Sequence, residues 1–166
     1  MRFLGTNAVN GYGDVSRARG ILDAAPAGLI PQAAHVAVDV GFIDQRIYLD
    51  VLERRFAEAL DAWRAIPTSD DKAIRQLFGQ ITVRIIAGQR PQAQSDCLKL
   101  RDLLEREQVQ DVDKPMRAME QSWVELCLDH TDAAIRLAQH ATELLPLSRD
   151  AYYGVPYIAG LAQINA

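Results

Sequence analysis

The sequence predicts an all-α protein built from antiparallel helix pairs. Three observations predict it. Apolar residues recur at intervals of three and four, as in Ile74, Leu77, Ile81 and Ile85, which fall on one stripe of a 3.6-residue helix. Short breakers rich in Gly, Pro and Asp cut the chain into helix-sized pieces. No segment alternates apolar with polar residues, and no Asn-Gly or Asp-Gly turn joins two β-branched runs.

Taken in order, "GYGD" (11–14) opens a helix, "GDVSRARGILDAA" at 13–25, which "APAGLIP" (25–31) ends. Val40, Ile43, Ile47 and Val51 then form a stripe leading to "RRFAEALDAWRAI" at 54–66. "AIPTSDD" (65–71) separates it from a stripe of the same spacing, Ile74 to Ile85. "AGQRP" (87–91) introduces "GQRPQAQSDCLKL" at 88–100, and "QDVDKP" (110–115) the helix through Pro115, Ala118, Ser122 and Leu126. "LDHTD" (128–132) and "LPLSRD" (145–150) bracket "DHTDAAIRLAQHA" at 129–141, and a last helix over 149–164 has no mate. The linkers are short, as between antiparallel helical neighbours. None is long or low in complexity, so residues 1–166 read as a single domain.

Four of these segments are copies of one pattern. Each places a small residue at one point: Ala18, Ala59, Ala93 and Ala134, separated by 41, 34 and 41 residues. Four positions on come Leu22, Trp63, Cys97 and Ala138, and three further on Ala25, Ile66, Leu100 and Ala141. A helix pair recurring near 34 residues is the mark of stacked helical repeats. Alanine is required where two helices approach closely, because a larger side chain there overpacks the contact by about 1–3 kcal/mol.

Bulk properties narrow the function. A chain of 166 residues, 49% hydrophobic and 24% charged with a net charge of -4, has a folded composition. Its 18 basic residues lie among 22 acidic ones, so the basic stripe that neutralises nucleic-acid phosphates is missing. No apolar run reaches the length of a membrane span, and the N-terminus does not form a signal peptide. We expect a cytoplasmic protein with neither nucleic acid nor membrane as partner. Cys97 and Cys127 sit in helical patterns among apolar neighbours and read as buried, reduced thiols acting as small hydrophobes.

The order small, bulky, small and closing Pro resembles the tetratricopeptide repeat (TPR). "DAAIRLAQHATELLP" carries the second-helix pattern of that family through Ala134, Ala138, Ala141 and Pro146; "FAEALDAWRAIP" carries it through Phe56, Ala59, Trp63 and Pro67. The segment "ATELLPLSRDAYYGVPYIAGLAQINA" is similar to the last repeats of TPR regions in multidomain bacterial signalling proteins, such as those attached to adenylate cyclase or serine/threonine kinase domains. The resemblance implies a right-handed α-solenoid of about four repeats plus a terminal helix. It further implies a non-enzymatic scaffold or regulatory module that binds a protein or peptide on the concave face.

In that register the concave face takes Asp44, Tyr48, Arg75, Phe78, Thr82, Met116, Met119 and Trp123. Such an apolar strip suits an apolar peptide or helix. Met116, Met119 and Trp123 admit a second reading, as core beside Ala118 and Ser122. An alternative role is a homodimer module of a larger bacterial signalling protein, with Tyr152, Tyr153, Tyr157 and Ile158 docking on a second copy.

Catalytic signals are sparse. The chain has no phosphate-binding Gly-rich loop, no H-E-x-x-H, no C-x-x-C and no G-x-S-x-G. His35 and Asp39 stand four apart with Asp44 beyond, and His130 lies beside Asp129 and Asp132. Solvated helix and turn positions account for both groups, so no catalytic residue, cofactor or metal is expected.

Overall fold

The computed structural model describes residues 13–24, 46–66 and 70–165, and of 70–72 and 153 the backbone alone. Among the described residues the protein is all-α, with several packed helices. These are α1 (Val15–Asp23), α2 (46–52), α3 (Phe56–Ala65), α4 (Asp70–Ile86), α5 (Arg90–Arg106), α6 (Lys114–Cys127), α7 (Thr131–Leu144) and α8 (Ala151–Ile164). A 3₁₀ turn over Asp111–Asp113 precedes α6. The chain divides into two compact units, residues 1–89 and 90–166. The breaker at 25–31, the Val40–Ile43 stripe and the His35–Asp39 pair lie outside the described residues.

In the first unit Asp14 caps α1, its Oδ1 accepting the Arg17 amide at 2.8 Å and so satisfying one of the N–H groups that a helix start leaves open. Ala18 and Leu22 of α1 pack with Leu49 of α2. Arg19 fastens the same two helices, donating to Asp50 at 2.6 Å and Glu53 at 2.8 Å. A second cluster joins Ile47 of α2, Ala59 and Leu60 of α3 and Val83 of α4, with Phe56 and Trp63 against it. At the end of α3, Gln76 of α4 donates to the carbonyls of Trp63 at 2.8 Å and Ile66 at 3.2 Å; the Trp63 carbonyl also accepts the Ile66 amide at 3.3 Å, so the open end of the helix is closed from both sides.

In the second unit α6 is central and packs against α5, α7 and α8. Its facing side is small: Ala118 and Ser122 are buried, and so are Ala134, Ala138 and Ala141 of α7. The Ser122 hydroxyl is kept from being a buried unsatisfied group by donating to the Met119 carbonyl at 2.6 Å. Met119, Ile164 of α8 and the three α7 alanines form one core, with Trp123, Tyr157 and Leu161 against it.

Cys97 of α5 and Cys127 of α6 form a disulfide, with their Cα atoms 6.5 Å apart. This corrects the expectation of two reduced thiols. Neither spacing nor apolar surroundings separates a buried thiol from half of a bridge. The packing of α5 on α6 brings the two Cα atoms within the span a disulfide requires.

Three helices end in the same turn. The amides of Arg54 and Arg55 donate to the carbonyls of Val51 and Asp50 at 3.0 and 2.7 Å. Those of Gly88 and Gln89 donate to Ile85 and Arg84, and those of Asp129 and His130 to Leu126 and Glu125. This is the Schellman pairing, which needs a left-handed residue just past the helix. Arg54 (φ 59°), Gly88 (φ 72°) and Asp129 (φ 66°) supply it, and Gly13 (φ 67°) has the same conformation ahead of α1. Each stands five residues before a buried alanine: Ala18, Ala59, Ala93 or Ala134.

Candidate functional site

The candidate site is an apolar pocket of about 700 Å³ within the first unit. It is lined by Tyr48, Val51 and Leu52 of α2 and by Arg75, Gly79, Thr82 and Ile86 of α4. Phe56 and Trp63 of α3 complete the lining with the buried Ile47 and Val83, the cluster they pack against, and with Arg54 of the turn between α2 and α3. Helical spacing explains the α2 and α4 sets, because residues three and four apart share a face. The Trp63 indole lies directly against Gly79, whose missing side chain makes the room.

Exposure and charge give the pocket its character. Tyr48, Leu52 and Ile86 at its rim are about half exposed, at 49%, 43% and 55%, although they are large apolar side chains. Its described lining includes two arginines and no acidic residue. The acids of the adjoining turn are engaged: Arg19 holds Asp50 and Glu53, and Arg55 donates to Glu58 at 3.1 Å. Hydrogen bonding from Arg19 holds the Glu53 carboxyl below its ordinary range.

Of the residues expected on the concave face, Tyr48, Arg75 and Thr82 line this pocket. Asp44 lies outside the described residues. Phe78 is partly buried, and its carbonyl accepts the Thr82 hydroxyl at 3.0 Å. In the second unit Met116 is 49% exposed, Met119 is buried in the core, and Trp123 packs against that core. Leu52, Arg54, Phe56, Trp63 and Ile86 were not anticipated. Leu52 and Ile86 stand at the C-terminal ends of α2 and α4, Arg54 in the turn and Phe56 and Trp63 on α3; the αL turn that carries Arg54 has only a Gly signature in sequence, which Arg54 does not show.

On α8, Tyr152 is 80% and Ile158 44% exposed, with Val155 at 55% beside them. Tyr157 turns inward onto the core, where burial pushes its hydroxyl pKa up. The Tyr153 side chain lies outside the described residues.

His130 sits at the N-terminus of α7 with its Nδ1 2.6 Å from Glu125. Among the described residues no group of three or more His, Cys, Asp or Glu side chains is placed to hold a metal ion. None of the described helices is long and apolar enough to cross a membrane.

No family model, no curated protein and no solved structure matches this chain.

Proposed function

We propose that the chain is a non-enzymatic protein-interaction module of TPR-like helix pairs, and that it holds an apolar partner segment in the pocket between α2 and α4. The observation that carries the reading is the pocket itself, where Tyr48, Leu52 and Ile86 stay exposed around a cavity wide enough for several side chains. Apolar surface gathered in a concavity is the usual form of a recognition site. The repeat assignment is supported by the four left-handed residues, Gly13, Arg54, Gly88 and Asp129, whose intervals of 41, 34 and 41 residues match those of the buried alanines.

The test is a display selection of random dodecapeptides on the full chain, counter-screened on Leu52→Glu. Enriched peptides with paired apolar residues that lose binding to Leu52→Glu support the reading. Failure to enrich any peptide, or equal binding to both proteins, sinks it.

A second reading, self-association, is favoured by α8. Tyr152, Val155 and Ile158 are exposed, and residues 151–164 contain no charged side chain. Light scattering across a hundred-fold dilution tests it: a dimer that Tyr152→Glu with Ile158→Glu converts to monomer supports it, and a monomer throughout removes it. The disulfide supports an oxidising setting in place of the cytoplasmic one expected from the sequence, because cytosolic thiols are kept reduced.

A further inference from the structure

We propose that the segment held by the pocket carries a carboxylate beside its apolar residues, and that Arg54 is the cation that reads it. This rests on the pocket being the binding surface, and three observations carry it further.

The first is pairing. Asp50 and Glu53, the nearest acids before Arg54 in the chain, are taken by Arg19, and Glu58 is taken by Arg55. Arg54 forms no ion pair with any described residue. It lines the pocket instead.

The second is conformation. Arg54 holds φ 59° at the place where two other turns use Gly13 and Gly88. A side chain there costs free energy that glycine avoids, and such strain persists where the residue is needed. The other non-glycine in this position, Asp129, has visible work: it accepts from Arg90 and, at 2.9 Å, from Gln94. Arg54 has no such partner within the described protein.

The third is charge complementarity. The described lining contains no acid, and Arg54 is the cation in it that forms no ion pair with a described residue. Arg54 is exposed, so a carboxylate would meet it at the edge of the cavity through a charge-assisted hydrogen bond while the neighbouring apolar residues lie against the lining. The half-exposed rim of Tyr48, Leu52 and Ile86 extends the apolar surface past the cavity. That favours a peptide segment over a single small acid as the occupant.

The experiment repeats the dodecapeptide selection on three proteins: the wild type, Arg54→Gly and Arg54→Glu. Enriched peptides are expected to hold Asp or Glu within one helical turn of a large apolar residue. Their affinity is expected to fall about ten-fold or more in Arg54→Gly, while its thermal midpoint is unchanged or raised. Replacing the peptide acid by Lys should restore binding to Arg54→Glu. Enrichment without an acid preference, or acidic peptides that bind Arg54→Gly as tightly as the wild type, overturns the role of Arg54 and leaves the pocket reading standing. No enrichment at all overturns both.

Discussion

The indole of Trp63 fills the space over Gly79 that any side chain at position 79 would occupy, so α3 and α4 meet through a tryptophan and an absence. The contact lies in the lining of the pocket and makes Gly79 a steric requirement. Gly79→Val should destabilise the protein by about 1–3 kcal/mol through overpacking. By contrast Gly20, with nothing within 4 Å of its would-be Cβ, should gain about 0.5–1 kcal/mol as Gly20→Ala. Urea denaturation of the two variants checks the pair, and a Gly79→Val protein as stable as wild type would remove the packing argument.

The turns give the second prediction. Gly88 has φ 72° and open space around it, so a side chain there meets backbone strain alone. Gly88→Ala should cost about 1 kcal/mol, and Arg54→Gly should gain a similar amount. Equal stability of both variants and the wild type would show that these helices do not end in left-handed residues.

The bridge between α5 and α6 makes the third. Cys97 and Cys127 are separated by 30 residues, and closing a loop of that size restricts the unfolded chain by about 3–4 kcal/mol. Alkylation of the unreduced, denatured protein should leave both cysteines unlabelled by mass spectrometry. Reductant should lower the denaturation midpoint, and Cys97→Ala with Cys127→Ala should no longer respond to it. Two labelled thiols in the untreated protein would contradict the bridge.

Glu120 of α6 gives a pH dependence. Burial pushes its carboxyl above the ordinary value near 4.5; Arg117, 3.3 Å away, opposes the shift, and Glu107 and Asp113 add to it. The folded state therefore keeps a proton that the unfolded chain has released. Stability from this group is present below the ordinary value and is lost as pH rises through it towards the folded pKa. Glu120→Gln should match the wild type near pH 4 and exceed it near pH 7 in denaturation midpoint. A gap that does not widen with pH would refute the assignment.

Only a part of the pocket was legible in sequence, three of its twelve described lining residues. Tyr48, Arg75 and Thr82 follow from helical spacing once the repeat register is known, because positions on a first helix recur predictably. Arg54, Phe56 and Trp63 were not legible as lining. Their direction depends on the turn after α2 and on the angle at which α3 meets α4, which no local pattern encodes. Met119 and Trp123 have the same residue types and spacing as a groove stripe. The seating of α8, where a Cβ on Gly160 would come within 2.8 Å of the Met119 sulfur, puts Met119 in the core.

The helical class, the breakers and the alanine register are written in the chain, because they depend on local periodicity, backbone conformational preference and the size of a single side chain. The bridge of Cys97 to Cys127, the inward turn of Met119 and Tyr157, and the gathering of Arg54 with Tyr48 and Ile86 about one cavity arise on folding. Each requires residues far apart in sequence to arrive at one place. Such meetings are governed by how whole helices pack, and packing is a property of many side chains at once.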